Sequence, residues 1–303
     1  MASGDTTIRA GSREVDVSNL DKIFYPAAGF TKGDVIDYYR AVAPVLLPHL
    51  EGRPITLKRY PNGVEGPFFY EKECPSHRPK WIKTAAITRR QDGKPVNYCV
   101  LNDEASLVWA ANLADLELHA SLAVGRNVER PQTMVFDLDP GAPAGLVECC
   151  EVALVLRAML GSAELEGFAK TSGSKGLQLF VPLHTPTSYE DTKAFAQAFA
   201  RILEEERPGE VISKPSREER KGKVFVDWSQ NDRHKTTVTV YSLRARPRPT
   251  VSTPVTWDEV TAAAESGDQD MLVFEHDETL ARIEEHGDLF EPVLSMKQRL
   301  PKI

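Results

Sequence analysis

The segment Met134-Val-Phe-Asp137-Leu-Asp139-Pro140 constrains the fold more than any other stretch of this chain. It alternates apolar and acidic side chains and stops at Pro140 and Gly141, as a short strand does. Asp137 and Asp139 therefore share one face, and Phe136 and Leu138 share the other, while Val135 falls on the aspartate side. The apolar face must pack inward, which turns the acidic face toward a cleft. Two carboxylates this close repel each other unless a cation lies between them. An all-oxygen donor set suits Mg²⁺ or Mn²⁺, and a divalent pair is what in-line nucleotidyl transfer uses. Taken alone, the same spacing also fits a turn cap, a solvated edge, a phosphatase or a sugar-nucleotide transferase.

Composition sets the outer limits. The chain has 303 residues, 41% hydrophobic and 27% charged, which is a soluble globular mix with room for one large domain or two small ones. No window is apolar enough for a membrane span, and Met1 to Ser12 is polar, so a cytoplasmic, nucleoid-associated protein is expected. Cys74, Cys99, Cys149 and Cys150 form no Cys-x-x-Cys pair; reduced thiols and no zinc are expected. The net charge of −7 argues mildly against nucleic acid. Its distribution argues otherwise, since about ten Lys and Arg against four acids lie between Lys214 and Arg248.

Mixed strands and helices without a strict βαβ rhythm predict an α+β fold with a largely antiparallel central sheet flanked by helices. We expect a flexible N-terminus over 1–12 and one catalytic domain over 13–303. Within it, 13–131 forms an α/β subregion, 132–250 the catalytic core and 251–303 a C-terminal wrap. Thr31 should cap a helix from Lys32 to about Leu47. Further helices are expected over Ser106 to Leu116, Leu146 to Leu160 and Tyr189 to Glu206, with strands over Ile55 to Tyr60, Leu177 to Val181, Lys223 to Trp228 and Thr236 to Tyr241.

Several residues could carry chemistry beside the aspartate pair. In Val224-Phe-Val-Asp-Trp228, Asp227 shares a strand face with Phe225, so it could complete a two-metal site. Thr171-Ser-Gly-Ser-Lys-Gly176, read as lying between a helix and a strand, offers hydroxyls, Lys175 and close backbone approach to an anion, without P-loop spacing. Arg244, Arg246 and Arg248 fit phosphate clamping. Arg217, Arg220, Lys221 and Lys223 fit a nucleic-acid backbone. Lys22 and Lys32 flank a turn and fit a phosphate. Pro67-Phe-Phe-Tyr70 near Lys58 and Arg59 fits base stacking, and His119 lies just beyond a helix.

Together these strings resemble one family. Val135-Phe-Asp-Leu-Asp-Pro-Gly141, Thr171-Ser-Gly-Ser-Lys-Gly-Leu177, Lys223-Val-Phe-Val-Asp-Trp-Ser-Gln-Asn231 and Tyr241-Ser-Leu-Arg244 look like the polymerase domain of bacterial ATP-dependent DNA ligase D, in the archaeo-eukaryotic primase superfamily. The match runs from about Arg13 to Phe290. It implies a primase-polymerase fold and a nucleotidyltransferase that fills short gaps and extends ends in non-homologous end joining or short-gap repair. It also implies two Mn²⁺ or Mg²⁺ ions and NTP or dNTP substrates, with ribonucleotides preferred. Asp137, Asp139 and Asp227 would be the metal ligands. Ser172, Lys175 and Arg244 would hold the triphosphate, with His119 and Gln230 beside the nucleotide. Asn19, Lys22 and Lys32 would bind a DNA 5′-phosphate, Phe69 and Tyr70 would stack on the template, and Arg220 would sit on a loop near the primer. Tyr70 stands where the family has Phe, and His119 is followed by Ala120-Ser121.

The partners expected are gapped DNA or DNA ends, with Ku and a DNA ligase as further candidates. No ligase or phosphoesterase module is present, so the chain reads as a stand-alone homologue or an excised domain. The competing readings are a primase with de novo synthesis, a non-catalytic DNA-end binding module, and an Asp-x-Asp glycosyltransferase.

Overall fold

A computed structural model describes residues 6–216 and 218–302. Arg217 of the basic loop, and residues 1–5 of the segment expected to be flexible, lie outside the described residues. The first strands in chain order are β1 (Thr6–Ala10), β2 (Arg13–Val17), β3 (Ile23–Tyr25), β4 (Phe30–Thr31) and β5 (Ile55–Arg59). They are followed by β6 (Phe69–Glu71), β7 (Lys83–Thr88), β8 (Pro95–Val100) and β9 (Asp115–Ala120). Helix α1 (Lys32–Leu50) precedes β5, and α2 (Glu104–Asn112) precedes β9. The second half adds β10 (Thr133–Pro140), β11 (Phe168–Thr171), β12 (Leu177–Pro182), β13 (Val211–Ile212), β14 (Val224–Asp227), β15 (Thr237–Val238) and β16 (Pro254–Val255). Its helices are α3 (Leu146–Ser162), α4 (Tyr189–Glu206), α5 (Trp257–Ser266) and α6 (His276–His286).

These elements form two compact units. One comprises the chain to Arg126 with Thr236–Val251 and Glu275–Gly287; the other comprises Asn127–Lys235, Ser252–Phe274 and the chain from Asp288. Each holds a six-stranded sheet. The first is ordered β15-β9-β5-β8-β7 with β6 also on β5, and the second is ordered β13-β14-β10-β12-β11-β16. The antiparallel character expected from the sequence holds, since β13–β14 is the one parallel pairing among the described strands. The strand that follows β14, β15, pairs with β9, Val238 opposite His119, and so belongs to the sheet of the first unit.

The first unit begins with β1 paired to β2, so part of the segment read as flexible is strand. Thr31 caps α1 as expected: its hydroxyl accepts from the Asp34 N–H, and the Asp34 carboxylate accepts from the Thr31 N–H. The helix runs to Leu50, past the expected end, and buries Val35, Ile36, Tyr39, Val42 and Leu46.

The core of the second unit follows from the alternation in β10. Met134, Phe136 and Leu138 are fully buried with Leu177, Leu179, Val224 and Val226 from the neighbouring strands. Helices α3 and α4 contribute Val152, Leu156, Phe195 and Phe199 to the same cluster. Each such side chain contributes about 1.5–3 kcal/mol when fully buried. One face of the sheet is thereby committed to the helices, and the aspartates lie on the other.

Three expectations need correction. Cys74 and Cys99 form a disulfide instead of remaining reduced: Cys74 donates its backbone N–H to the carbonyl of Asn97 in β8, and the two cysteine Cα atoms lie 4.9 Å apart. Cys149 and Cys150 are free and buried in α3, as expected. The Thr171–Gly176 segment joins two strands, β11 and β12, not a helix to a strand. The strand expected from Thr236 to Tyr241 is only Thr237–Val238, because the chain turns at Thr239–Ser242 with Tyr241 at φ 62°. No helix among the described residues is long and apolar enough to cross a membrane.

Gly176 packs directly under β10, and an added Cβ would collide with the Leu138 carbonyl oxygen. Gly176→Ala should therefore destabilise the fold by about 1–3 kcal/mol. At Gly161, near the end of α3, an added Cβ meets nothing within 4 Å. Gly161→Ala should be neutral or stabilising by up to about 1 kcal/mol. Urea unfolding followed by circular dichroism separates the two, and equal midpoints would contradict the account.

Candidate active site

In the second unit, β10 and β14 run antiparallel with Asp137 directly opposite Asp227, and with Asp139 opposite Phe225. Pairing thus places two carboxylates side by side and a third two residues along. Asp137 and Asp227 are part-buried, and the Asp139 side chain is 52% exposed. Each carboxylate already has a donor. Asp137 Oδ1 accepts from Gln178 Nε2 at 3.0 Å. Asp227 accepts from the Ser229 N–H and from Gln230 Nε2, both at 2.9 Å. Asp139 is ion-paired with Arg220.

Burial pushes the Asp137 carboxyl up to about 6; Asp227 and Asp139 push the same way, while the Gln178 hydrogen bond and Lys170 oppose them. The like-charge part of that rise is what a bound cation would relieve. The donors are hard oxygens, which fits Mg²⁺ or Mn²⁺. The triad is not fully converged. Among the described residues, only Glu275, His276 and Asp277 bring three ligand atoms within 4.8 Å of one another, and Glu275 there is paired with Arg248. Arg220 holds the third carboxylate of the triad instead.

The loop between β11 and β12 folds around the Ser172 hydroxyl. Ser172 Oγ accepts from the Gly176 N–H at 3.1 Å and the Ser174 N–H at 3.2 Å. The turn needs Gly173 at φ +65°, a conformation that favours glycine. Lys175 is exposed. Ser172, Lys175, Gln230 and Arg220 all belong to the unit that carries the three aspartates.

His119 and Arg244 belong to the other unit, where both meet a residue that sequence reasoning passed over. Glu117 precedes His119 by two along β9, so the two share a face. Its buried carboxylate accepts from Lys58 Nζ at 3.0 Å, Tyr60 Oη at 3.2 Å and the Ala245 N–H at 3.1 Å. It also lies 3.1 Å from His119 Nε2 and 3.2 Å from Arg244 Nε. Burial alone would raise this carboxyl, but the His119 hydrogen bond and the charges of Arg244, His119 and Lys58 hold it well below the usual range. Burial lowers His119, although Glu117 pulls the other way.

The aromatic segment divides at β6. Tyr70 stands opposite Lys58 and its ring lies 5.9 Å from the His119 ring, edge-on. Phe68 shares that side, with Lys58 Nζ 4.6 Å from its ring. Phe69 points to the opposite side, over Arg59 at 5.2 Å. Strand alternation therefore groups Phe68 with Tyr70 and separates Phe69 from Tyr70. All three rings are exposed.

Asn19, Lys22 and Lys32 come together at the start of α1, in the first unit. Asn19 sits at φ 55°, and its carbonyl accepts from the Lys22 N–H at 3.0 Å. Lys32 is the first residue of α1, at the positive end of the helix dipole, and its ammonium donates to the Ser18 carbonyl at 2.7 Å. Lys22 donates to the Pro61 carbonyl at 2.6 Å. Burial, and then the neighbouring Lys22, lower Lys32 to about 8. Two crowded ammonium groups at a helix N-terminus suit an anion.

The chain matches the LigD primase-polymerase domain model over residues 31–290. It is 41% identical to a multifunctional non-homologous end joining protein LigD of Mycolicibacterium smegmatis over 92% of this chain and 36% of the relative. It is 30% identical to a bifunctional LigD of Bacillus subtilis over 90% of this chain and 43% of that protein. The chain thus spans well under half the length of these relatives. Its fold is similar to that of the polymerase domain from Mycobacterium tuberculosis ligase D in complex with DNA, with a TM-score of 0.85, 39% identity, and 94% and 99% of the two chains covered. The chain belongs to the LigD primase-polymerase domain family of nucleotidyltransferases.

Proposed function

We propose that this chain is a DNA-directed polymerase that fills short gaps and extends ends during non-homologous end joining or short-gap repair, with ribonucleotides preferred over deoxyribonucleotides. The observation that carries the reading is the antiparallel register that sets Asp137 against Asp227, with Asp139 beside them. The DNA complex of the M. tuberculosis polymerase domain supports DNA as the template-bearing partner here. Ku and a ligase are the proteins that would bring such ends and seal them.

In the proposed reaction the primer 3′-hydroxyl oxygen bonds to the α-phosphorus of the nucleotide. The bond to pyrophosphate breaks, pyrophosphate leaves, and the hydroxyl proton passes to solvent. Asp137, Asp139 and Asp227 would hold two Mn²⁺ or Mg²⁺ ions, which when bound neutralise the phosphates and acidify the hydroxyl. Arg220 must release Asp139 for that, so its loop takes part in loading the site. Ser172 and Lys175 would take the triphosphate, and Gln230 would orient Asp227 beside the nucleotide. The roles proposed for His119 and Arg244 are nucleotide contacts, with Glu117 holding both side chains. Tyr70 would offer a stacking surface to the template, with Phe68 more than Phe69 on the same side.

Asp137→Asn and Asp227→Asn should each lower nucleotide incorporation across a one-nucleotide gap more than about 100-fold with Mn²⁺ present. No incorporation by the wild-type chain, with DNA-end binding undiminished in Asp137→Asn, would leave a DNA-end binding module as the better reading. Turnover of a sugar nucleotide without primer extension would favour a glycosyltransferase, and synthesis on unprimed strands would add primase activity.

The Asn19, Lys22 and Lys32 cluster should make binding depend on a downstream 5′-phosphate. Lys32 is lowered to about 8. It is charged below that pH and neutral above it, and a bound phosphate favours the charged form. The affinity gained from the 5′-phosphate should therefore be full at neutral pH and fall as pH rises through about 8. Lys32→Met should remove both the gain and its pH dependence. Fluorescence anisotropy with 5′-phosphate and 5′-hydroxyl duplexes checks this, and a pH-independent gain would exclude Lys32.

A further inference from the structure

Four adjacent strands of the second unit place one residue each in a single row. Lys170 on β11 stands opposite Gln178 on β12, Gln178 opposite Asp137 on β10, and Asp137 opposite Asp227 on β14. Directly opposed residues in antiparallel strands present side chains to the same face at contact distance. The neighbouring row, Ala169, Leu179 and Phe136, points into the core, so the polar row lies on the aspartate face.

The hydrogen bonds along this row run in one direction. Lys170 Nζ donates to Gln178 Oε1 at 2.6 Å, and Gln178 Nε2 donates to Asp137 Oδ1 at 3.0 Å. An ammonium has no acceptor, so it can receive only the oxygen end of the amide. Lys170 thereby decides which end of Gln178 faces the aspartate. The lysine is anchored in turn: it donates to Ser252 Oγ at 2.6 Å, and the Ser252 hydroxyl donates to the Thr171 carbonyl at 2.7 Å. Lys170 and Ser252 are fully buried.

We propose that Lys170 is a positioning residue for nucleotidyl transfer: by locking the Gln178 amide it dedicates Asp137 Oδ1 to a hydrogen bond and leaves Oδ2 as the metal-ligating oxygen. This rests on the reading of Asp137 as a metal ligand. The same lysine ties the metal strand to the residue before Ser172, so one buried contact fixes both the carboxylate and the base of the β11–β12 loop. Hydrogen-bonded partners behind a metal ligand commonly carry 10–100-fold of metal affinity.

The test is Mn²⁺ binding to the whole chain without DNA or nucleotide, read by electron paramagnetic resonance. The proteins compared are wild type, Lys170→Met, Gln178→Met, the double variant and Asp137→Asn, each checked for native circular dichroism. Lys170→Met and Gln178→Met should each weaken Mn²⁺ binding about tenfold or more. The double variant should be no weaker than Gln178→Met alone, because both act through one relay. A merely structural role would leave Mn²⁺ binding unchanged in folded variants. Should Lys170→Met fail to fold, Gln178→Met and a less drastic Lys170→Gln carry the comparison. Unchanged Mn²⁺ binding in these variants, with Asp137→Asn losing it, overturns the positioning role and leaves the polymerase reading standing. Additive losses in the double variant overturn the relay. Undiminished Mn²⁺ binding in Asp137→Asn overturns the metal reading beneath it.

Discussion

The register of β10 against β14 is the constraint on which the second unit depends. Placing Asp137 opposite Asp227 sets like charges together on one face, an arrangement that costs free energy in an ordinary sheet. The sheet tolerates it because the reverse face of the same strands carries Phe136, Leu138, Val224 and Val226 into a core to which α3, α4 and α5 contribute. Shifting the register by one residue would turn that apolar set outward and the carboxylates inward. Core and acidic cluster are therefore two consequences of a single pairing. The neighbours each offset part of the repulsion. Gln178 serves Asp137, Ser229 and Gln230 serve Asp227, and Arg220 serves Asp139.

The first unit uses the opposite electrostatic plan. There one buried carboxylate, Glu117, is surrounded by Lys58, Arg244, His119 and the Tyr60 hydroxyl. Losing Glu117 would leave cationic groups without their common anchor, which costs more than an exposed ion pair would. The two plans suit different ligands. Crowded carboxylates invite cations, whereas cationic side chains gathered on a single anion keep donors for phosphate or base. At the start of α1 the cationic plan is carried further, since Lys22 and Lys32 crowd each other at a helix N-terminus.

Period-two patterning made the active strand legible from sequence. Phe136 and Leu138 had to oppose Asp137 and Asp139, and Val224 and Val226 had to oppose Asp227. Capping chemistry did the same for the start of α1. What the sequence did not show depends on contacts between distant segments. Glu117 reads as an ordinary glutamate just past a helix until β5 and the Arg244 segment come alongside it. The Cys74–Cys99 disulfide spans 25 residues and matches no spacing motif. The division of Phe68 and Tyr70 from Phe69 required knowing that β6 begins at Phe69. Which strand Thr237–Val238 joins is likewise unmarked in the sequence and is settled only by its pairing with β9.

Lys170 is the clearest case of a residue whose meaning lies wholly in its register. In sequence it is a lysine ahead of a polar turn, where a solvated side chain is the ordinary expectation. In the fold it is fully buried, and burying an ammonium costs several kcal/mol unless polar partners replace its water. A methionine of similar shape would avoid that cost, yet it could not tell one end of a glutamine amide from the other. Retaining the lysine at such a position makes physical sense if orientation of the neighbouring carboxylate matters more than stability. A carboxylate that must present one defined oxygen to a cation needs its other oxygen held from the side. The row from β11 to β14 supplies that hold through a single amide.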